Sequence, residues 1–103
     1  MERGPVSPNV DIGSLIERTP GVHGGRPRIA GTGVTVGRVV CWYKLGLSSE
    51  EIAQRVGHLS MAQVYAALAY YHANRDAIEQ DLESETIEAE RLEREHYLSR
   101  QND

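Results

Sequence analysis

Four histidines, one cysteine and fifteen carboxylates are the side chains of this 103-residue chain with the chemistry for catalysis or metal binding. His23, His58, His72 and His96 stand far apart, and no pair has the close spacing of a metal-binding motif. His72 and Asp76 are four residues apart, the spacing of one helix face, but Asn74 between them favours a cap over a helix interior. Cys41 lies in an apolar segment with no histidine near in sequence to activate it. It reads as a small buried hydrophobe. A single cysteine excludes a disulfide framework and a cysteine zinc knuckle. Gly31-Thr32-Gly33 lacks the strand-to-helix setting and the lysine of a phosphate loop. The carboxylates crowd into the last third of the chain, where a charge run makes a solvated face. The residues point to no enzyme, and no cofactor or metal is expected.

The remaining chemistry is that of recognition. Arg26, Arg28, Arg38, Lys44 and Arg55 are the candidate contacts to phosphate. Gln63 can pair with adenine, Tyr65 stands beside it, and Ala62, Ala66 and Ala69 can meet thymine methyl groups. No Lys or Arg lies between Val56 and Asn74. Five cations are modest for a monomeric DNA binder, and a dimer would double them. The same residues also suit a trihelical interaction module whose helices merely pack. Both readings stay open.

These side chains need elements to position them. Residues 1–11, rich in Pro, Gly, Ser and Asn, read as a flexible leader. Ile12 to Arg18 reads as a short strand ended by Thr19-Pro20-Gly21, and Arg26 to Ala30 as a second. Pro27 cannot donate to a ladder and suits an edge. From Val34 the period changes: Val36, Val39, Val40 and Tyr43 share a helical face, which Trp42 and Leu45 widen before Gly46 closes it. Ser48 and Glu51 then form a capping box, with Leu47 and Ile52 as its hydrophobic staple. The helix of about 49–56 should bury Ile52, Ala53 and Val56. Ser60, Gln63, Leu59 and Val64 repeat the arrangement after Gly57, which makes a helix–turn–helix unit. Val64, Ala67, Leu68 and Tyr71 should face inward on its third helix. Asn74 breaks it.

Residues 74–103 are again helix-prone but form no strict heptad. They read as an amphipathic arm that orders on a partner, with Ile78, Leu82, Ile87, Arg91, Leu92 and Arg94 as candidate contacts. The predicted fold is mainly α: short N-terminal strands and a trihelical homeodomain-like helix–turn–helix over 12–73, then a long acidic helical arm. The charge divides at the same place. Residues 1–72 carry seven Lys and Arg against five Asp and Glu, whereas residues 73–103 carry four against ten. No apolar run is long enough for a membrane span or a signal peptide, so a cytoplasmic protein without a membrane partner is expected. A folding unit this small gains from dimerisation. Two short strands are weak alone, so a homodimer or higher even oligomer made by the N-terminal segments is expected.

Thr19-Pro20-Gly21-Val22-His23-Gly24-Gly25-Arg26-Pro27-Arg28-Ile29-Ala30-Gly31-Thr32 resembles the opening signature of domain-of-unknown-function family 433. The Gly46 to Ile52 junction and the helix from Gln63 to Tyr71 match the same family, so that the resemblance spans about residues 14–80. One departure stands out. After Gly31-Thr32 the family usually continues with arginine, an aliphatic residue, proline and valine, whereas this chain has Gly33-Val34-Thr35-Val36. Thr35 takes the place of the proline as the helix-start signal. The resemblance implies an antitoxin of a type II toxin–antitoxin pair. Its body would bind operator DNA and repress its own operon. Its arm would neutralise a PIN-domain-like ribonuclease toxin, with Arg91, Arg94 or Arg100 entering the acidic nuclease site. The alternative is an interaction adaptor or dimerisation module without DNA binding.

Overall fold

The structure, a computed structural model, describes residues 9–101, with the side chains of Glu88, Ala89, Arg100 and Gln101 excepted. Residues 1–8 of the expected leader lie outside the described residues. Asp11 sets the first element: its carboxylate accepts the Gly13 N–H at 3.0 Å and caps a 3-10 turn over Ile12–Leu15. The expected strand over Ile12 to Arg18 therefore shrinks to β1, Ile16–Glu17. It pairs antiparallel with β2, Arg28–Ile29, in the register Ile16 to Ile29 and Glu17 to Arg28. The pairing is within one chain. Pro27, beside β2, gives its carbonyl to the Val36 N–H at 2.9 Å and so leads the ribbon into the first helix.

Three helices follow: α1 (Val36–Lys44), α2 (Ser49–Arg55) and α3 (Met61–Ala73). Thr35 caps α1, its hydroxyl accepting the Arg38 N–H at 3.1 Å. Both capping boxes are present in full, Ser48 with Glu51 and Ser60 with Gln63. Gly46 (φ +96°) and Gly57 (φ +72°) turn the chain between helices in a region that other residues adopt only with strain. The core gathers Ile29, Val36, Val39, Val40, Ile52, Val56, Val64, Ala67 and Tyr71. The inward face of α1 is narrower than expected. Tyr43 and Leu45 are 41% and 71% exposed, because Tyr43 stacks edge-on against His72 at the surface and Leu45 falls in the C-cap. Cys41 is exposed rather than buried, since it lies on the side of α1 away from Val36, Val39 and Val40.

Asn74 ends α3, its side-chain amide donating to the Tyr70 carbonyl at 3.0 Å. Helix α4, Arg75–Gln101, starts at once. Its packing does not respect the break. Ile78 is 2% exposed and belongs to the core, and Leu82 packs on α1 at Gly37, where a Cβ would stand 3.1 Å from the Leu82 Cδ2. Beyond this root every described side chain from Thr86 to Ser99 is exposed. The 27 residues of α4 are about 40 Å long at about 1.5 Å per residue. That length gives the described chain its extents of 74 × 31 × 28 Å. No helix among the described residues is long and apolar enough to cross a membrane.

Candidate interaction surfaces

Of the five cations expected to contact phosphate, three face carboxylates of their own chain. Arg28 meets Glu17 at 2.7 Å across the ribbon and also donates to the Thr32 carbonyl and the Thr19 hydroxyl, which leaves its side chain 14% exposed. The β1–β2 register explains this, because it sets Glu17 directly opposite Arg28. Arg26 meets Glu85 at 3.3 Å, and Lys44 meets Glu79 at 2.6 Å. Both of those carboxylates come from α4. Glu79 also accepts the Tyr71 hydroxyl. The Lys44 hydrogen bond, and after it the Tyr71 one, hold Glu79 below the usual carboxylate range. The same bond holds Lys44 above its ordinary value. The two ion pairs bracket the contact of Leu82 with Gly37, so that the root of α4 is clasped to the body by apolar packing between two charge pairs.

The other two cations are open. Arg38 is exposed and has no ion pair among the described residues. Arg55 lies over the Trp42 ring, 5.5 Å from its centroid. Gln63 is not free to read a base as expected. Its side-chain oxygen accepts the Ser60 N–H at 2.8 Å, so bidentate pairing with adenine would first dismantle the cap. Tyr65 is 56% exposed. The structure thus leaves Arg38, Arg55 and Tyr65 accessible and commits Arg26, Arg28, Lys44 and Gln63 to internal contacts.

The arm candidates divide as well. Ile78 is core, a correction to its place among partner contacts, and Leu82 is half-buried at the root. Ile87 (58% exposed), Leu92 (52%), Arg91 and Arg94 are open. Ile87, Arg91, Arg94 and Leu98 lie at i, i+4, i+7 and i+11, hence on one side of α4. Two apolar ends therefore flank two guanidinium groups. Arg91 reaches its helix neighbour Glu95 at 3.8 Å. The Arg100 side chain is outside the described residues. All four histidines are exposed, as expected of surface histidines. No group of His, Cys, Asp or Glu among the described residues is arranged to hold a metal ion.

Glu79 and Glu85 were missed at the level of sequence. Their signal was present, because Ile78, Leu82 and Glu85 follow i, i+4, i+7, one face of a helix that begins at Arg75. Treating the acidic run as solvated concealed it.

The family described as "Protein of unknown function (DUF433)" matches residues 16–71. The matched stretch ends within α3 and includes none of α4. A crystal structure of a DUF433 member protein from Anabaena variabilis ATCC 29413 at 2.00 Å resolution is similar, with 30% identity and a TM-score of 0.63, over 67% of this chain and 68% of that one. No curated protein matches.

Proposed function

The chain belongs to the DUF433 family, and from that premise we propose that it is an antitoxin-like interaction protein of the cytoplasm. In this reading α1–α3 and the root of α4 form a scaffold, and the outer part of α4 binds and neutralises a ribonuclease. The observation that carries the reading is the stripe of Ile87, Arg91, Arg94 and Leu98, exposed on a helix that runs beyond the body. An isolated helix with that pattern gains little in water, and its apolar ends and guanidinium centre fit a partner groove with apolar ends and carboxylates between them. The metal-binding carboxylates of a PIN-domain-like nuclease have that chemistry, and this partner class follows from the family resemblance. The numerous carboxylates of the arm would face the cationic RNA-binding rim of such an enzyme.

The test is co-expression with a ribonuclease encoded in the neighbouring reading frame, followed by an RNA-cleavage assay. The wild-type chain should suppress cleavage, and alanine at Arg91, Arg94 and Arg100 together should restore it. Undiminished suppression by that variant removes the arginine-insertion mechanism.

A second reading, operator binding by the body, is favoured by the two fully capped helices and the open Arg38 and Arg55. Binding through phosphates weakens steeply with salt. A gel shift on the chain's own upstream DNA at two salt concentrations tests it. The absence of a shift at low salt leaves the adaptor form of the protein.

A further inference from the structure

Helix α3 holds no Asp, Glu, Lys or Arg, and neither does the whole stretch from Val56 to Asn74. A helix that is apolar on every side is normally buried on every side. Here the inner side is covered by the core, but Ala62, Tyr65, Ala69 and Ala73 are exposed on the outer one. The N-terminal turn covers part of that side and leaves an open apolar groove of about 330 Å³ lined by Ile12, Ile16, Ala66, Ala69, Tyr70 and Ala73. Ile12 stands at its edge, 57% exposed, and Tyr65 projects from the opposite flank of the helix, 56% exposed. A hollow and two apolar projections thus lie side by side on one surface.

We infer that this face docks a second copy of the chain through a two-fold contact, in which projections of one protomer enter the alanine-lined groove of the other. Charge selects the occupant. An acidic or a basic partner would find no opposite charge on α3 to hold it. A second copy needs none, and elsewhere the chain repels itself, with ten Asp and Glu against four Lys and Arg in residues 73–103. The α3 face is where two such chains can meet without opposing like charges. Self-complementary shape is what a two-fold interface requires. Size sets the strength. Helix α3 is about 20 Å long, and with the N-terminal turn alongside it reaches the low end of specific interfaces, which bury about 800 Å² per partner at standard size. The dimer should therefore dissociate within a measurable concentration range. Docking here would also withdraw α3 from any DNA groove and leave operator binding to Arg38 and Arg55.

Sedimentation velocity of the full chain across a concentration series tests the inference. The wild type should pass from monomer to dimer. Ala69→Glu and, separately, Ile12→Glu should each weaken the dimer by about 100-fold, since each buries an unpaired carboxylate in the contact. Both sites are exposed in the monomer, and an unchanged far-ultraviolet spectrum and melting transition at low concentration would show that the fold is retained. Leu98→Glu on the arm should leave the dimer intact. A wild type that stays monomeric throughout overturns the inference. So does a dimer indifferent to both groove variants, or one abolished by Leu98→Glu.

Discussion

Two isoleucines of the same helix, nine residues apart, should respond oppositely to truncation. Ile78 is 2% exposed inside the core, while Ile87 is 58% exposed on the projecting part of α4. Cutting a fully buried isoleucine to alanine removes its transfer free energy and leaves a cavity, at a cost of about 2–5 kcal/mol. A value near 3 kcal/mol is appropriate for Ile78, because it lies at the margin of the core, where α4 joins the body and some collapse is available. A chain of this size holds about 5–15 kcal/mol in total, and the solvated outer turns of α4 keep this one at the lower end. With a urea dependence of about 1.5 kcal/mol per molar, Ile78→Ala should lower the unfolding midpoint by about 2 M. Ile87→Ala should stay within about 0.5 kcal/mol of the wild type and instead weaken partner binding. The assay is urea unfolding followed by circular dichroism at a fixed low protein concentration, so that self-association does not differ between variants. An Ile78→Ala midpoint within about 0.3 M of the wild type would refute the claim that the root of α4 completes the core. An equal fall for Ile87→Ala would refute the claim that the outer arm stands clear of the body.

Three further outcomes follow from the same seam. Gly37→Ala should change stability by less than about 1 kcal/mol, because the gain in helix propensity offsets the contact with Leu82, a half-buried side chain able to shift; Gly37→Leu should cost more than about 1 kcal/mol by prising α4 from α1 in the same urea assay. Glu79 has a lower pKa folded than unfolded, chiefly through its hydrogen bond from Lys44. Its contribution is therefore complete above the unfolded glutamate value and is lost as pH falls through the folded one. Urea midpoints measured from neutral to acidic pH should fall less steeply for Glu79→Gln than for the wild type, while Glu83→Gln, an exposed control, should follow the wild-type curve. Cys41 is exposed, yet partial desolvation, and after it the neighbouring Glu85 charge, raise its thiol pKa. It should react with a disulfide reagent more slowly than a free thiol at neutral pH, and Glu85→Gln should speed it.

The local punctuation of the chain was legible in the sequence. Ser48 with Glu51, Ser60 with Gln63, Thr35, Gly46 and Gly57 all act within a few residues, so their spacing alone specifies where helices begin and end. The inward set of α3 was legible for the same reason, since its neighbours share one period. What the sequence hid was contact between distant elements. Arg28 reads as a phosphate contact until the strand register sets Glu17 opposite it. Gln63 reads as a base contact until its oxygen is counted within the cap. Ile78 reads as part of an arm because Asn74 breaks the helix before it, but a break in the backbone is no boundary to packing. The Ile12 strand failed differently: an aspartate cap at Asp11 offered the backbone a 3-10 turn in place of a ladder.

The clasped root of α4 bears on how long the protein keeps its capacities. Backbone beyond Glu85 has no described tertiary cover, so it opens at low free energy, whereas the segment through Ile78 and Leu82 opens only with the core. Proteolytic attack should thus shorten the chain from the outer arm inward and pause at the clasp. The first cut would discard the stripe of Ile87, Arg91, Arg94 and Leu98 and spare the body with its α3 face. Capture of a partner and survival of the fold would then have separate lifetimes, and the shorter one would belong to the arm.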